Sequence, residues 1–176
     1  MLRIRPYKTK DAIHIQTWIR DAKEHALWCA NLMEYPMSEE RLQAMHDEYS
    51  SQGEGCMFTA LNTEGDPVGF FVIMRANYEI NNAHLGFILI DPALRGQGYG
   101  KEMVHMAVRY CFYMLSTVSV TLKVYDINTS AHRCYQAVGF KTVTHNDQSL
   151  VFEGESWGTQ DMIIIKKRYK QKGEFK

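Results

Sequence analysis

Between a β-rich run that closes at Ile90 and an apolar helical stripe that opens near Gly98 lies the segment Asp91-Pro92-Ala93-Leu94-Arg95-Gly96-Gln97-Gly98-Tyr99-Gly100-Lys101. No other stretch limits so strongly what the chain can fold into. Alternating glycines let backbone amides turn toward one point, and a helix amino terminus offers unpaired N–H groups with a partial positive charge. Arg95 and Lys101 add formal charge. A strand–loop–helix step of this kind suits a phosphate or pyrophosphate. Spacing separates the possible motifs. A P-loop needs glycine at position 95 and a hydroxyl residue at 102, where the chain has Arg95 and Glu102. The dinucleotide fingerprint fails too, because Gly96 and Gly98 require a third glycine where Lys101 stands. Arg-x-x-Gly-x-Gly remains, filled by Arg95, Gly98 and Gly100.

The elements around this loop follow from periodicity. Leu2 to Arg5 alternates as a short strand, and Thr9 is a candidate cap for a helix carrying Ala12, Ile15, Ile19 and Ala22 at helical spacing. Ser38 caps a second helix with Leu42, Met45, His46 and Tyr49 on one side. Trp28 to Tyr35, between them, has no clear period. Cys56–Leu61 and Val68–Arg75 read as strands of a hairpin, and Ala83–Ile90 as a third. The helix from Gly98 to about Ser116 presents Tyr99, Met103, Met106, Ala107, Tyr110 and Met114. Val118–Val124 is a β-branched strand, followed by a short helix capped at Asn128 or Thr129 and stopped by Gly139. Phe140–Thr144 and Asp161–Lys166 are late strands, with a polar loop around Trp157 expected between them. The pattern predicts an α/β domain with a partly antiparallel, partly parallel sheet.

Composition narrows the function classes. Twenty Lys and Arg against twenty Asp and Glu in 176 residues leave no bulk positive charge, so nucleic acid is an unlikely partner. The basic stretch Lys166 to Lys176 is read as a solvated tail following a single domain over residues 1–165, with a salt-sensitive contact to RNA or an acidic partner as the lesser alternative. Cys29, Cys56, Cys111 and Cys134 form no Cys-x-x-Cys pair, which suggests neither a zinc site nor a disulfide framework and fits reduced thiols in a cytoplasm. The longest apolar run, Phe87–Ile90, is too short for a bilayer. Monomer and homodimer both stay open.

Three stretches in order resemble the GNAT superfamily of acyl-CoA-dependent acetyltransferases: Ile88-Leu89-Ile90-Asp91-Pro92, the Arg95–Lys101 loop, and Asn128 with Ala131, Tyr135 and Gly139-Phe140. The resemblance spans about Cys56 to Phe140. It implies a splayed mixed sheet flanked by helices and acetyl-CoA as donor, with no metal. Ile88, Leu89 and Ile90 would line the pantetheine arm. Arg95, Gly96, Gln97, Gly98, Tyr99, Gly100 and Lys101 would hold the pyrophosphate, and Asn128 would hydrogen-bond the arm. The implied reaction is direct acetyl transfer to the primary amine of a small molecule or peptide. A module that binds acyl-CoA without turnover is the alternative.

Acetyl transfer needs a neutral amine and a proton for the departing thiolate. Tyr135 resembles the family's general acid; from its helix stripe alone it reads as a core tyrosine, and the context of Asn128 and Gly139-Phe140 lifts catalysis above that. Asn128 likewise doubles as an N-cap. His84 matches the position of a base in some family members, with Glu79 in reserve and a hydrogen-bonded strand-end histidine as the plainer alternative. Members that acetylate ribosomal-protein amino termini carry glutamate where this chain has Lys123, which argues against their base and their peptide substrate here. Cys134 is read as packing rather than as an acyl carrier. Trp28, Glu34 and Tyr35 are expected near the acceptor.

Overall fold

Buried on both faces, Val68-Gly69-Phe70-Phe71-Val72-Ile73 belongs to the interior of a sheet, and it lies there in a computed structural model of the chain. The structure describes residues 1–53, 55–77 and 81–169, with the backbone alone at 75–77. Seven strands form one sheet in the order β1-β2-β3-β4-β5-β7-β6: β1 Arg3–Pro6, β2 Gly55–Leu61, β3 Pro67–Asn77, β4 Asn82–Ile90, β5 Ser119–Tyr125, β6 Lys141–Phe152 and β7 Glu155–Ile165. All neighbours are antiparallel except β4 and β5. That parallel pair requires a crossover, which the helix α4, Tyr99–Tyr113, provides.

Helices α1 Ala12–Trp18, α2 Ala22–Cys29 and α3 Glu39–Gln52 cover one face of the sheet; α4 and α5, Thr129–Val138, cover the other. Phe71 and Ile73 of β3 pack toward α4, whereas Phe70 and Val72 pack toward α1–α3. The two faces thus carry separate apolar layers.

The site depends on how β4 leaves β5. Their pairing runs only from Asn82↔Ser119 to Leu85↔Leu122, so the second half of β4 has no partner on that side. On its other side, Phe70↔Leu89 is followed by Val72↔Gly86, which puts an extra residue in β4. Phe87 there has φ of 51°. A bulge bends its strand and increases local twist, and here it lies where β4 turns away. A Cβ on Gly86 would stand 2.4 Å from the Met74 Cε, so the neighbouring side chain fills the room a larger residue needs.

Several sequence expectations change. The single helix read through Ala12, Ile15, Ile19 and Ala22 is two helices, because Ile19 is extended and the Asp21 carboxylate accepts from Glu24 N at 2.7 Å, starting a new helix that also contains Trp28. Thr9 does not cap: it begins a short 3-10 turn, and its hydroxyl donates to Gln43 Oε1 at 2.7 Å. On α4 the buried face runs through Met103, Val104, Ala107, Val108, Cys111 and Phe112, leaving Met114 exposed. The loop expected around Trp157 is instead strand β7. Glu153 and Gly154, both with positive φ, turn a two-residue hairpin. Trp157 is 1% exposed, with ring contacts to Phe152 and Tyr125. The strand signal was hidden because β6 is an edge strand whose side chains are mostly exposed and polar. At the start of the basic stretch, Lys166 donates to the carbonyl of Phe112 and Tyr169 packs on the Phe112 ring; residues 170–176 lie outside the described residues.

Candidate active site

The fork between β4 and β5 opens into a cleft of about 580 Å³. One wall is the free half of β4, where Ile88, Leu89 and Ile90 line the space; a second is the loop and the start of α4; a third is α5; and α2 closes the rim. Arg95, Gly96, Gly98, Gly100 and Lys101 face it. Gly98 caps α4 at φ of 90°, and Gly96 has φ of 78°. No heavy atom lies within 4 Å of where a Cβ on either would stand. That is an open cradle rather than close packing, and left-handed backbone favours glycine at both positions. The side chains of Gln97 and Tyr99 do not line the cleft: Gln97 Nε2 donates to Ala93 O at 3.3 Å, and Tyr99 packs into the layer beneath α4.

Asn128 caps α5, its Oδ1 accepting from Ala131 N and from the Ser130 hydroxyl, both at 3.2 Å. It also lines the cleft, so the capping geometry aims it there. Two helical turns further, Tyr135 is almost fully buried at the cleft wall and packs against Phe140. Burial, and secondarily the neighbouring Cys134, push its phenol above the usual value, so it stays protonated at neutral pH. Cys134 shares this wall, its thiol also raised by burial against an opposing effect of Lys101.

Sequence reasoning missed Glu24. On α2 its carboxylate is held by Arg20 and, at 2.8 Å, by Arg95, which arrives 71 residues later in the chain. The Arg20 hydrogen bond first, then that of Arg95, overcome desolvation and lower its pKa to about 2. The i,i+4 spacing of Arg20 and Glu24 signalled an ordinary surface pair; only the fold brings Arg95 to it.

His84 is not in this cleft. It lines a second cavity of about 190 Å³ together with Met74, Phe87, Lys123 and Tyr125, and Leu27 and Trp28 line both cavities. Thr121 Oγ1 lies 3.1 Å from His84 Nδ1 and 3.4 Å from Ala83 O. With the Thr121 hydroxyl donating to that carbonyl, Nδ1–H donates to Thr121 and the lone pair falls on Nε2. Desolvation, then Lys123, lower the His84 pKa against an opposing pull from Asp161. The imidazole is therefore neutral at pH 7.

Trp28 Nε1 is buried without a partner, a condition that costs about 1–3 kcal/mol. The Trp28 ring stands in the wall shared by the two cavities. Glu34 and Tyr35, expected near the acceptor, line neither cavity; Tyr35 is exposed and faces His25 instead. Glu79 lies outside the described residues. Among the described residues no group of His, Cys, Asp or Glu could hold a metal ion, and no helix is long and apolar enough to cross a membrane.

A glycine cradle at a helix amino terminus, continuous with an apolar trough beside an unpaired strand, has the form required by a diphosphate joined to a long arm. Known proteins are similar to this chain in sequence and in fold. The model of the acetyltransferase (GNAT) family matches residues 16–140, from within α1 to the residue before β6. Spermidine N(1)-acetyltransferase of Vibrio cholerae is 22% identical over 149 residues, covering 82% of this chain and 86% of that protein. Peptidyl-lysine N-acetyltransferase YjaB of Escherichia coli is 26% identical over 125 residues, covering 69% and 76%. The crystal structure of the Vibrio cholerae spermidine N-acetyltransferase in complex with CoA and spermine superposes with a TM-score of 0.83 at 20% identity, covering 96% of this chain and 97% of that one. The hairpin β6–β7, beyond the family match, is thus part of a fold shared almost end to end. With cleft, fold and sequence in agreement, the chain belongs to the GNAT acetyltransferase family and is an N-acetyltransferase that uses acetyl-CoA as its donor.

Proposed function

We propose that the larger cleft holds acetyl-CoA, that the smaller cavity admits the acceptor amine, and that the two meet at Trp28. The observation that carries this is the end of β4–β5 pairing at Leu85↔Leu122, which leaves one strand edge exposed between two cavities with a common wall. The loop amides at 96–101, with Lys101, hold the diphosphate, and the free edge of β4 with Asn128 guides the arm. Bound acetyl-CoA supplies a thioester carbon open to attack. Arg95 is held by Glu24 as described and turns to the phosphates when they bind.

Chemistry is divided between the cavities. His84 Nε2 takes a proton from the incoming ammonium, directly or through water, leaving a neutral nucleophile. As the C–N bond forms and the C–S bond breaks, Tyr135 gives its proton to the departing sulfur. Its raised pKa keeps the phenol protonated, and so able to donate, throughout the neutral range. No covalent acetyl-enzyme is needed, and the half-buried, protonated thiol of Cys134 fits packing. Residues 1–165 act as one catalytic domain, working where acetyl-CoA is at hand, in the cytoplasm.

The amine of the acceptor is the group that is acetylated; the names of the relatives offer spermidine and peptidyl-lysine. Calorimetry with acetyl-CoA, followed by thiol release across a panel of primary amines, tests the assignment. Heat with acetyl-CoA and amine-dependent release are expected; absence of heat would remove the cleft's role.

A further inference from the structure

The cavity that holds His84 has the wrong charge for a polyamine. Its walls are apolar, from Leu27, Leu32, Met74 and Phe87, and among the described residues no carboxylate lines it. One cation does: Lys123, which follows Thr121 by two residues on the same face of β5 and stands where the strand parts from β4. Among the described residues the charged groups facing His84 are Lys123 and Asp161. Asp161, opposite Lys123 on β7, lies 3.6 Å from its ammonium, longer than the ~2.7–2.9 Å of a tight charge-assisted bond. Half of the Lys123 side chain is exposed, so this loose pairing leaves donors free. A second or third ammonium would meet apolar walls and a like charge. A carboxylate next to the amine meets a cation instead.

Resting on the acetyl-transfer assignment above, we propose that the acceptor is a free α-amino acid with an apolar side chain, its amine delivered to His84, its carboxylate bound by Lys123 and its side chain lying among Leu27, Met74 and Phe87. The cavity's 190 Å³ equals about six waters of liquid volume, enough for an amine, an α-carbon and a carboxylate with part of a side chain. Lys123, a departure from the glutamate of some family members, thereby selects the substrate.

Thiol release from acetyl-CoA, measured with L-methionine and L-phenylalanine, their amides, the dipeptide methionyl-glycine, and spermidine, tests the inference. In the native protein kcat/KM for each acid should exceed that for its amide by about ten- to hundredfold, the effect of one charge-assisted contact. The dipeptide and spermidine should fall with the amides. Lys123→Gln should bring the acid-to-amide ratio near one, and Lys123→Glu should invert it in favour of spermidine. Calorimetric heat with acetyl-CoA checks that both variants are folded. Preference of the native protein for spermidine or the dipeptide, or an acid-to-amide ratio unmoved by Lys123→Gln, would overturn the inference while leaving acetyl transfer intact. No heat with acetyl-CoA, or no release with any amine, would remove both.

Discussion

The two cavities beside Trp28 are built by different means. On the proposed donor side the surface offered is largely backbone: Gly96 and Gly98 in left-handed conformation, the amino terminus of α4 and the unpaired edge of β4. On the proposed acceptor side it is side chains from distant segments: Leu27 and Trp28 of α2, Met74 of β3, His84 and Phe87 of β4, Lys123 of β5. A backbone site accepts a donor that every acetylation step shares. A side-chain site can change acceptor through single substitutions that leave the main chain alone.

The largest effect expected from breaking this division is at the thioester. Tyr135→Phe should lower kcat by about 10²–10⁴ and leave acetyl-CoA affinity unchanged, since proton donation is lost but not the cradle. Rapid quench and calorimetry separate the two, and unchanged turnover would return Tyr135 to packing alone. On the other side, His84→Ala should cost about 10² in kcat/KM. Because burial and Lys123 lower the His84 pKa, the native rate should fall only as pH drops through a value below 6.5, and stay level above it until another group titrates. His84→Ala should abolish that acidic limb, and Lys123→Gln should move it upward. A limb that survives His84→Ala would assign it elsewhere.

Gly98→Val probes the cradle itself. At φ of 90° a β-branched side chain is strained by about 1–3 kcal/mol and occupies the open space above the loop. Acetyl-CoA KM should rise by at least about tenfold, the equivalent of 1.4 kcal/mol, while relative rates across amines stay as they were. A change in amine ranking would mean that the cavities are not independent. The smallest effect belongs to the rim. Glu24, its pKa lowered to about 2, is ionised throughout the working pH range and places a negative charge beside an anion site. Glu24→Gln should tighten acetyl-CoA by about two- to fivefold at low ionic strength, with the gain fading as salt rises. Weaker binding would show that Glu24 chiefly positions Arg95.

The same division explains what could be read from the chain. The strand–loop–helix step is a local pattern, and Gly96, Gly98, Gly100 and Lys101 stand on the cleft wall because their conformation and the helix terminus are set within a few residues. Asn128 and Tyr135 share one short helix, so their spacing fixed their common face. By contrast, Glu24 looked like half of an i,i+4 pair until Arg95 arrived from across the fold. Glu34 and Tyr35 looked suited to a cationic amine, yet after the left-handed residues Ala30 and Asn31 end α2 only Leu32 of that segment still lines the cavity, and Tyr35 faces His25. Trp157 lies on the interior strand β7, but its hairpin partner β6 is an edge strand whose mostly exposed, polar side chains gave no clear alternation, so the hairpin passed for a loop.

Local rules, then, determined the glycine turn, the caps at Ser38 and Asn128, the buried run of β3 and the helix that joins two parallel strands, because each depends on residues within a turn or a strand of one another. Tertiary structure alone decided where β4 and β5 separate, which side chains close the second cavity and that, among the described residues, Lys123 rather than a carboxylate lines it. Those outcomes depend on a bulge at Phe87, on the path of α2 and on groups tens of residues apart, and their energies exist only once the sheet has brought the parts together.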